Sequence, residues 1–211
     1  MNTYLLSRRK RLLDLAVAIP VMALCLPFFP VLALAVWIAS PGPLFFTQER
    51  LGLCGKPFQI WKIRTMYPEA AYQPALPLPD DPRVYKMGRI IRAAHVDELP
   101  QLWNVIHGEM SVVGPRPVPG WEHDAICQRS TEQQFRLQAK PGITGMAQVS
   151  VTWADPVVRA NIDHNYVQHA SLTSDLQIIA RTLIKGLATL AHRSQRNRDL
   201  RHDSAPVHRQ A

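Results

Sequence analysis

The feature that most constrains this fold is a run of 25 residues without a charge, from Leu15 to Ala39. As a straight helix the run would reach about 37 Å, which exceeds the hydrocarbon core of a bilayer, about 30 Å thick. Pro20, Pro27 and Pro30 interrupt it. An interior proline removes a backbone hydrogen bond and costs about 3 kcal/mol in a regular helix. The run therefore predicts a membrane helix that breaks at a proline, and we place the break at Pro27.

Basic residues flank both ends of the run. Arg8, Arg9, Lys10 and Arg11 precede it, and Arg50, Lys56, Lys62 and Arg64 follow it. Because positive residues favour the cytoplasmic side, this pattern favours a re-entrant helix that enters and leaves on one face. An ordinary single-pass anchor is the main alternative. A cleaved signal peptide is another, with "ALA" at 33–35 as its cleavage site, but the apolar run is too long for it.

Composition limits the partners of the chain. With 211 residues and 47% hydrophobic content, it suits one domain with a real core plus a membrane segment. A formal net charge of +8 indicates an anionic partner: nucleic acid, an acidic membrane surface or a phosphorylated substrate. No nucleic-acid-binding motif is present, and such a protein would leave the apolar run unexplained, so we expect no nucleic acid. The three cysteines are widely spaced, which indicates neither a disulfide framework nor a zinc site.

We expect three parts: a basic N-terminus with the re-entrant membrane helix (1–39), a cytosolic catalytic domain on the membrane surface (40–190) and a basic tail (191–211) that is disordered or contacts lipid headgroups. The fold class that we predict is α+β and predominantly helical, with amphipathic interfacial helices around the core. Alternation predicts a β-hairpin from Leu44–Gln48 and Phe58–Ile63. Further predictions are a proline-rich loop at 67–82, two helices meeting at a corner within 83–106, a helix at 121–138, a glycine turn and strand at 140–150, and one or two helices at 160–190.

Two adjacent carboxylates, Asp97 and Glu98, lie at the predicted corner. Neighbours on a regular helix diverge by about 100°, but a corner before Pro100 lets both point into one pocket. An aspartate there can attack a phosphorus atom and form an acyl phosphate. Its neighbour can help to hold Mg²⁺, which takes one or two carboxylates together with substrate phosphate oxygens and water. The alternative is a solvated pair on a helix surface, where such pairs are common.

Phosphate recognition has its own candidate in Arg116, which lies between Pro115 and Pro117. A guanidinium group fits phosphate oxygens with two hydrogen bonds, and the prolines restrict the backbone that carries it. Arg116 alone could equally be a surface arginine. Three further cations are candidates for the same role: Lys62, Arg64 and Arg92. The segment "GLCGKP" at 52–57 lacks the spacing of a nucleotide-binding loop, and we interpret it as a hairpin turn.

Several motifs in a fixed order resemble the bacterial sugar transferase family, the monotopic phosphoglycosyl transferases. They include "SPGPLFFTQERLG", "VDELPQLWNVIHGEMSVVGPRP", "KPGITGMAQV" and "DHNYVQHASLTSDLQII", and the likeness runs from about residue 10 to 190. The resemblance implies an enzyme that moves a sugar 1-phosphate from a UDP-sugar to polyprenyl (undecaprenyl) phosphate and releases UMP. This would be the first membrane step in building a surface glycan, such as an exopolysaccharide, an O-antigen or a glycoprotein glycan.

The resemblance also implies roles for single residues. Asp97 would be the nucleophile that carries the phosphosugar, and Glu98 its partner at Mg²⁺. Arg116 would bind substrate phosphate, and Pro27 would break the re-entrant helix. Asp163 and Tyr166 match the D-x-x-Y spacing of the family and, with Lys140, are candidates for the surroundings of the site. The catalytic domain would lie on the cytoplasmic face of the bacterial inner membrane, in contact with membrane lipids.

The chain departs from the family pattern at three places. Leu26 replaces the serine that often precedes the helix-breaking proline, and Lys140 replaces an arginine before "PGITG". The N-G-R motif that commonly follows Val149 is missing, which leaves the donor sugar open. The sequence also leaves open a homo-oligomer, and an alternative function as a non-catalytic, membrane-anchored adaptor of a polysaccharide assembly complex.

Overall fold

The computed structural model describes residues 2–72, 81–151 and 155–203. This part of the chain is predominantly helical, as predicted, with two small sheets. Its helices are α1 (Arg8–Cys25), α2 (Phe29–Ala39), α3 (Lys86–Ala93), α4 (Gln101–His107), α5 (Gly120–Cys127), α6 (Met146–Ser150), α7 (Pro156–His169) and α8 (Leu172–Asp203). Its strands are β1 (Phe45–Leu51), β2 (Pro57–Ile63), β3 (Ser111–Val113) and β4 (Gly142–Thr144).

The apolar run forms α1 and α2, which are separated by a single 3-10 turn, Leu26–Phe28. The turn contains Pro27, and its flanking residues keep right-handed helical dihedral angles. Among the described residues, the stretch Arg8–Ala39 is long and apolar enough to cross a membrane, by length and composition, and little of it is buried. The side chains around the 3-10 turn are mostly exposed: Leu24, Leu26, Phe28 and Val31.

Both ends of this helical stretch pack against the rest of the protein. Ala18 of α1 is fully buried in the main hydrophobic core. Val36 of α2 is buried in a second cluster with Ile63, Tyr85 and Ile91. The two ends are therefore anchored on one folded body, while the exposed apolar middle has no such cover.

The predicted β-hairpin is present. β1 and β2 pair antiparallel, from Phe45 opposite Ile63 to Leu51 opposite Pro57. Side chains of β2 alternate, with Phe58 and Ile60 buried in the main core. The connection is a 3-10 turn at Leu53–Gly55, so "GLCGKP" does lie in the hairpin turn. The hairpin thus supplies the wall on which α4 packs.

The second sheet was not predicted. β3 and β4 pair parallel, with Ser111 opposite Gly142 and Val113 opposite Thr144. A Cβ atom on Gly114 would overlap the carbonyl oxygen of Lys140, so the two segments approach as closely as they do only because position 114 is glycine. Three-residue strands are too short to show the alternation from which strands are predicted.

Three predicted elements need correction. The segment after "GITG" was expected to be a strand but forms the short helix α6. The helix expected at 121–138 is α5 followed by a 3-10 segment, Thr131–Gln138. The backbone of α8 continues to Asp203, so helix extends into the tail expected to be disordered from 191, whose last part, 204–211, lies outside the described residues. The predicted loop at 67–82 begins with a 3-10 turn, Pro68–Tyr72. Residues 73–80 of this loop lie outside the described residues.

Candidate active site

The two carboxylates lie in a 3-10 turn, Val96–Glu98, between α3 and α4. His95, directly before the turn, has left-handed backbone angles (φ 56°, ψ 20°), which are uncommon for a residue other than glycine. Such backbone conformations cluster at functional sites. The predicted corner is therefore present, but the sharp change of direction is at His95. Pro100 instead has helical angles and precedes the first residue of α4.

Asp97 is a buried carboxyl group without a cationic partner in contact. Its exposed fraction is 9%, and no side chain of the described residues donates a hydrogen bond to it. Burial raises the pKa of Asp97, and the negative charge of Glu98 raises it further. The positive charges of Lys62 and Arg92 act in the opposite direction. A carboxyl group with these neighbours is more basic than an ordinary aspartate and is free to approach a substrate atom.

Glu98 has a cationic partner in Lys62, whose Nζ lies 3.3 Å from Oε1 of Glu98. Burial alone would raise the pKa of Glu98, but the charges of Lys62 and Arg116 outweigh it and hold that pKa below its usual range. Burial also lowers the pKa of Lys62. The environment thus raises the pKa of Asp97 and lowers that of Glu98. Neighbouring groups whose pKa values are shifted apart in this way are typical of acid and base sites in enzymes.

Arg116 follows β3 and has an exposed side chain. Its positive charge helps to lower the pKa of Glu98 and that of Lys62, so Arg116 lies within electrostatic range of the carboxylate pair. Arg92 lies within electrostatic range of Asp97, whose pKa its charge lowers, and its Nε donates a 2.7 Å hydrogen bond to Oγ1 of Thr65. The structure therefore brings together three of the four cations that the sequence singled out.

Arg64 is the fourth cation, and the structure uses it elsewhere. It is buried, and its guanidinium group donates hydrogen bonds to Ser40, to the carbonyl oxygen of Pro43 and to that of Met66. Arg64 therefore ties the end of β2 to the chain that leaves α2. With four hydrogen bonds made to the protein itself, this guanidinium group has little capacity left for a phosphate.

Asp163 lies behind Arg116, in contact with a cation that the sequence analysis missed. Nη2 of Arg136 lies 2.9 Å from Oδ2 of Asp163 and donates a 2.8 Å hydrogen bond to the carbonyl oxygen of Arg116. Burial raises the pKa of Asp163 to about 6, against the lowering effect of Arg136. Nη1 of Arg136 donates to Gln133, which in turn contacts His123. In sequence, "TEQQFRLQ" is an ordinary polar segment, and nothing in it marks these residues.

Tyr166 and Lys140 lie on the side of α1 rather than beside the carboxylates. The hydroxyl group of Tyr166 donates a 2.7 Å hydrogen bond to Asp175, which also accepts from Tyr4 and from Lys10. This buried network anchors α1 to α8, and burial together with Asp175 raises the pKa of Tyr166. The charged groups that affect the pKa of Lys140 all belong to α1: Arg11, Asp14 and Lys10. Tyr166 therefore contacts the anchor of the membrane helix, and Lys140 lines a cavity together with residues of α1.

The carboxylate oxygens of Asp97 and Glu98 suit an Mg²⁺ ion that is also bound by substrate, rather than a metal site formed by protein ligands alone. Within the described ranges, no group of three or more His, Cys, Asp or Glu side chains could hold a metal ion. Mg²⁺ in phosphoryl-transfer sites commonly takes one or two carboxylates and fills its octahedron with phosphate oxygens and water. Asp97 and the Glu98 oxygen that does not face Lys62 are ligands of this kind. The residues present therefore fit such an ion.

Comparison with known proteins decides the family. Residues 5–189 match the family of bacterial sugar transferases. The chain belongs to this family. The membership predicted from the motifs is thereby confirmed, as is the expectation of an enzyme of the phosphoglycosyl transferase class.

Curated relatives of this family member cover most of its length. It is 45% identical, over 86% of its chain and 70% of the relative, to a UDP-glucose:undecaprenyl-phosphate glucose-1-phosphate transferase of Caulobacter vibrioides. It is 36% identical to a protein of the same name from Escherichia coli, again over 86% of its chain but only 41% of that relative. It is 40% identical to the uncharacterized sugar transferase EpsL of Bacillus subtilis, over 85% of its chain and 88% of the relative. The chain therefore corresponds to a part of the larger relatives.

Proposed function

We propose that this sugar transferase moves a sugar 1-phosphate from a UDP-sugar to undecaprenyl phosphate, with release of UMP. The observation that carries the proposal is the pair Asp97 and Glu98, which lies at a helix corner with Lys62 paired to Glu98 and within electrostatic range of Arg92 and Arg116. The classes of donor and acceptor come from the names of the relatives. The product would enter the assembly of a surface glycan, and one relative, ExoY of Sinorhizobium fredii, is named an exopolysaccharide production protein.

In the first step, a carboxylate oxygen of Asp97 attacks the phosphorus atom that carries the sugar. A bond forms between this oxygen and phosphorus, the bond between phosphorus and the oxygen of UMP breaks, and UMP leaves with the electron pair of that bond. Asp97 must be ionised to attack. The surroundings that raise its pKa make the carboxylate a stronger nucleophile once it has lost its proton.

In the second step, a phosphate oxygen of undecaprenyl phosphate attacks the same phosphorus atom. The bond to Asp97 breaks, the carboxylate is restored and the sugar leaves on a lipid diphosphate. Because the two substrates react in turn at one phosphorus atom, ping-pong kinetics are expected.

The surrounding cations match the charge of the substrates. Lys62, Arg92 and Arg116 bring three positive charges to a site in which a diphosphate meets two carboxylates. Mg²⁺ bound by Glu98 and Asp97 would further neutralise the diphosphate oxygens. Arg116 is the best placed to bind a phosphate, since its side chain is exposed while Arg136 holds its main chain.

We also propose that the stretch Arg8–Ala39 is re-entrant, with the catalytic domain on the cytoplasmic face of the inner membrane. Lys10 near its start is paired with Asp175, and Ser40 just after its end accepts hydrogen bonds from Arg64. Both ends are thus held by one body, whereas a spanning helix would separate them by a bilayer core of about 30 Å. The exposed apolar turn around Pro27 would lie in the lipid.

A second apolar surface supports contact with membrane lipids. On α8, the exposed apolar side chains recur at helical spacing along one stripe: Leu172, Leu176, Leu183, Ile184 and Leu187. An apolar stripe on an otherwise polar helix is typical of helices that lie in the membrane interface. The shallow placement suits the reaction, because the lipid phosphate stays at the membrane surface.

The test is UMP release by the full chain in lipid nanodiscs, with Mg²⁺, undecaprenyl phosphate and a panel of UDP-sugars. We expect Asp97→Asn to abolish release and Asp124→Asn, a change of an exposed aspartate on α5, to leave it intact. Unchanged release in Asp97→Asn would refute the proposed role of this residue. Absence of release by the wild type with every donor would favour the non-catalytic adaptor.

A further inference from the structure

A cavity of about 340 Å³ lies at the start of the membrane helix. Four of its lining side chains are cations: Arg8, Lys10, Arg11 and Lys140. Asp14 is the one carboxylate among the lining residues, and Leu5 and Leu6 contribute apolar surface. We call this space the basic cavity. Its volume is in the range of small-ligand sites, and its charge suits an anion.

Two of the four cations have partners within the protein. Nζ of Lys10 lies 2.7 Å from Oδ2 of Asp175 and 3.7 Å from Oδ1 of Asp14. Arg11 donates 2.6 Å hydrogen bonds to the carbonyl oxygens of Val105 and Ile106. The charge of Lys10 is therefore balanced by carboxylates, whereas Arg11 is bound by neutral groups and keeps its net charge.

Lys140 has no hydrogen bond and no ion pair with any of the described residues, although it is half-buried. Burial lowers the pKa of Lys140, and the charges of Arg11 and Lys10 lower it further, against the effect of Asp14. A half-buried ammonium group among other cations is unfavourable without an anion. An anion in the basic cavity would supply the missing partner.

The basic cavity is separate from the proposed catalytic site. Arg11 binds the carbonyl oxygens at the C-terminal end of α4, whereas Asp97 and Glu98 precede the N-terminal end of this helix. The seven residues of α4 span about 10 Å at 1.5 Å per residue. An anion in the basic cavity would therefore not contact the carboxylate pair.

The position of the basic cavity also indicates the source of the anion. From Arg8 onward, α1 leads into the apolar stretch, so the basic cavity lies where the helix leaves the aqueous side. Lipid phosphates lie at this depth, and basic pockets beside membrane helices bind anionic headgroups. Leu6 is 54% exposed and Leu12 of α1 is 66% exposed, which provides apolar surface for the start of an acyl chain.

We propose that the basic cavity binds the phosphate group of an anionic membrane lipid such as phosphatidylglycerol. The phosphate lies between Lys140 and Arg11, and the bound lipid fixes the depth and orientation of α1 at the membrane surface. The occupant is a structural lipid and is distinct from the substrate that reacts at Asp97.

The test is lipid retention by the full chain, measured by native mass spectrometry from detergent micelles. Phosphatidylglycerol and phosphatidylcholine are added separately to wild type, Lys140→Gln and Lys140→Arg. Lys56→Gln is the matched control, since Lys56 is an exposed lysine at the hairpin turn. One lysine near a membrane surface is worth about 1 kcal/mol toward anionic lipid, which is about a fivefold change in affinity.

We expect wild type, Lys140→Arg and Lys56→Gln to retain phosphatidylglycerol, and Lys140→Gln to bind it about fivefold more weakly. Phosphatidylcholine should be retained poorly by all four proteins. Equal retention of phosphatidylglycerol by Lys140→Gln and wild type would overturn the proposal, as would equal retention of the two lipids. Displacement of the lipid by equimolar inorganic phosphate would instead assign the cavity to a free anion. The readout needs no turnover, so it does not depend on the proposed reaction.

Discussion

Replacing Lys62 by methionine tests whether this lysine keeps Asp97, the proposed nucleophile, ionised. Lys62 lies 3.3 Å from Glu98, each side chain is 21% exposed, and its charge lowers the pKa of Asp97. An opposite charge within about 4–6 Å shifts a carboxyl pKa by about 1–3 units. Lys62 and Glu98 are partly exposed, and Asp97 is farther from Lys62 than Glu98 is. We therefore expect the pKa of Asp97 to rise by about 1 unit when Lys62 is removed, which is about 1.4 kcal/mol.

The sign of the effect follows from the proposal that Asp97 attacks as an ionised carboxylate. Activity should be present above the pKa of Asp97 and lost as the pH falls through it. Removing Lys62 raises this pKa, so the acid limb of the pH profile should move to higher pH by about 1 unit. Lys62→Arg keeps the charge and should leave the midpoint of the limb near its wild-type position.

The assay is single-turnover UMP release from a UDP-sugar without lipid acceptor, measured from pH 4.5 to pH 9 for the three proteins. The plateau rate of Lys62→Met is expected to fall as well, since a substrate phosphate contact is lost. A lower plateau with an unmoved acid limb would show that Lys62 contacts substrate without affecting Asp97. That result would refute the electrostatic argument.

Three further predictions concern the scaffold around the site. Gly88→Ala should lower the free energy of unfolding by about 2 kcal/mol or more, because its Cβ would overlap the carbonyl oxygen of Thr65. Gly186→Ala on α8, where nothing lies within 4 Å, should raise the free energy of unfolding by about 0.5–1 kcal/mol. Equal urea midpoints for the two variants would contradict this prediction. Asp163 has a pKa raised from 3.8 to about 6, so its ionisation opposes folding above pH 6 and this penalty fades as the pH falls. The stability of wild type relative to Asp163→Asn should therefore rise by about 2 kcal/mol from pH 8 to pH 4.5, and a difference independent of pH would count against the assignment. Arg136→Met should lower kcat/KM of UMP release about tenfold or more by releasing the main chain of Arg116, the arginine that we propose binds phosphate. The exposed Arg129→Met should not lower it, and equal rates for the two variants would show that the buried ion pair has no positioning role.

Short-range patterns in the sequence were sufficient to predict two features that position the candidate site, the β-hairpin and the corner between α3 and α4. Alternation along 44–63 predicted the hairpin, since one face of β2 is buried in the core. The order of two adjacent carboxylates and Pro100 predicted a corner, and the structure has one between α3 and α4. The corner depends on the positive φ of His95 as well, and although histidine is enriched among non-glycine residues with positive φ, its presence alone does not predict one.

Long-range contacts account for what the sequence did not predict. Lys62 and Arg64 are two residues apart, yet one meets Glu98 while the other binds the chain around Ser40. The different partners of Lys62 and Arg64 depend on which distant segment of the chain packs against each side chain. The local sequence around the two residues carries no information about that packing. The same holds for Arg136, which reaches Arg116 across 20 positions of sequence. Residue type alone did not distinguish these cations from solvent-exposed ones.

The central claim is that Asp97 carries the phosphosugar between donor and lipid. Its most direct test is the intact mass of the purified full chain with Mg²⁺ and each of a panel of UDP-sugars, without lipid acceptor, for wild type and Asp97→Asn. We predict a mass gain of one sugar phosphate in the wild type and none in the variant, and the donor that gives the gain would identify the sugar. No gain with any donor, while UMP is released once undecaprenyl phosphate is added, would show direct transfer between substrates and contradict the account.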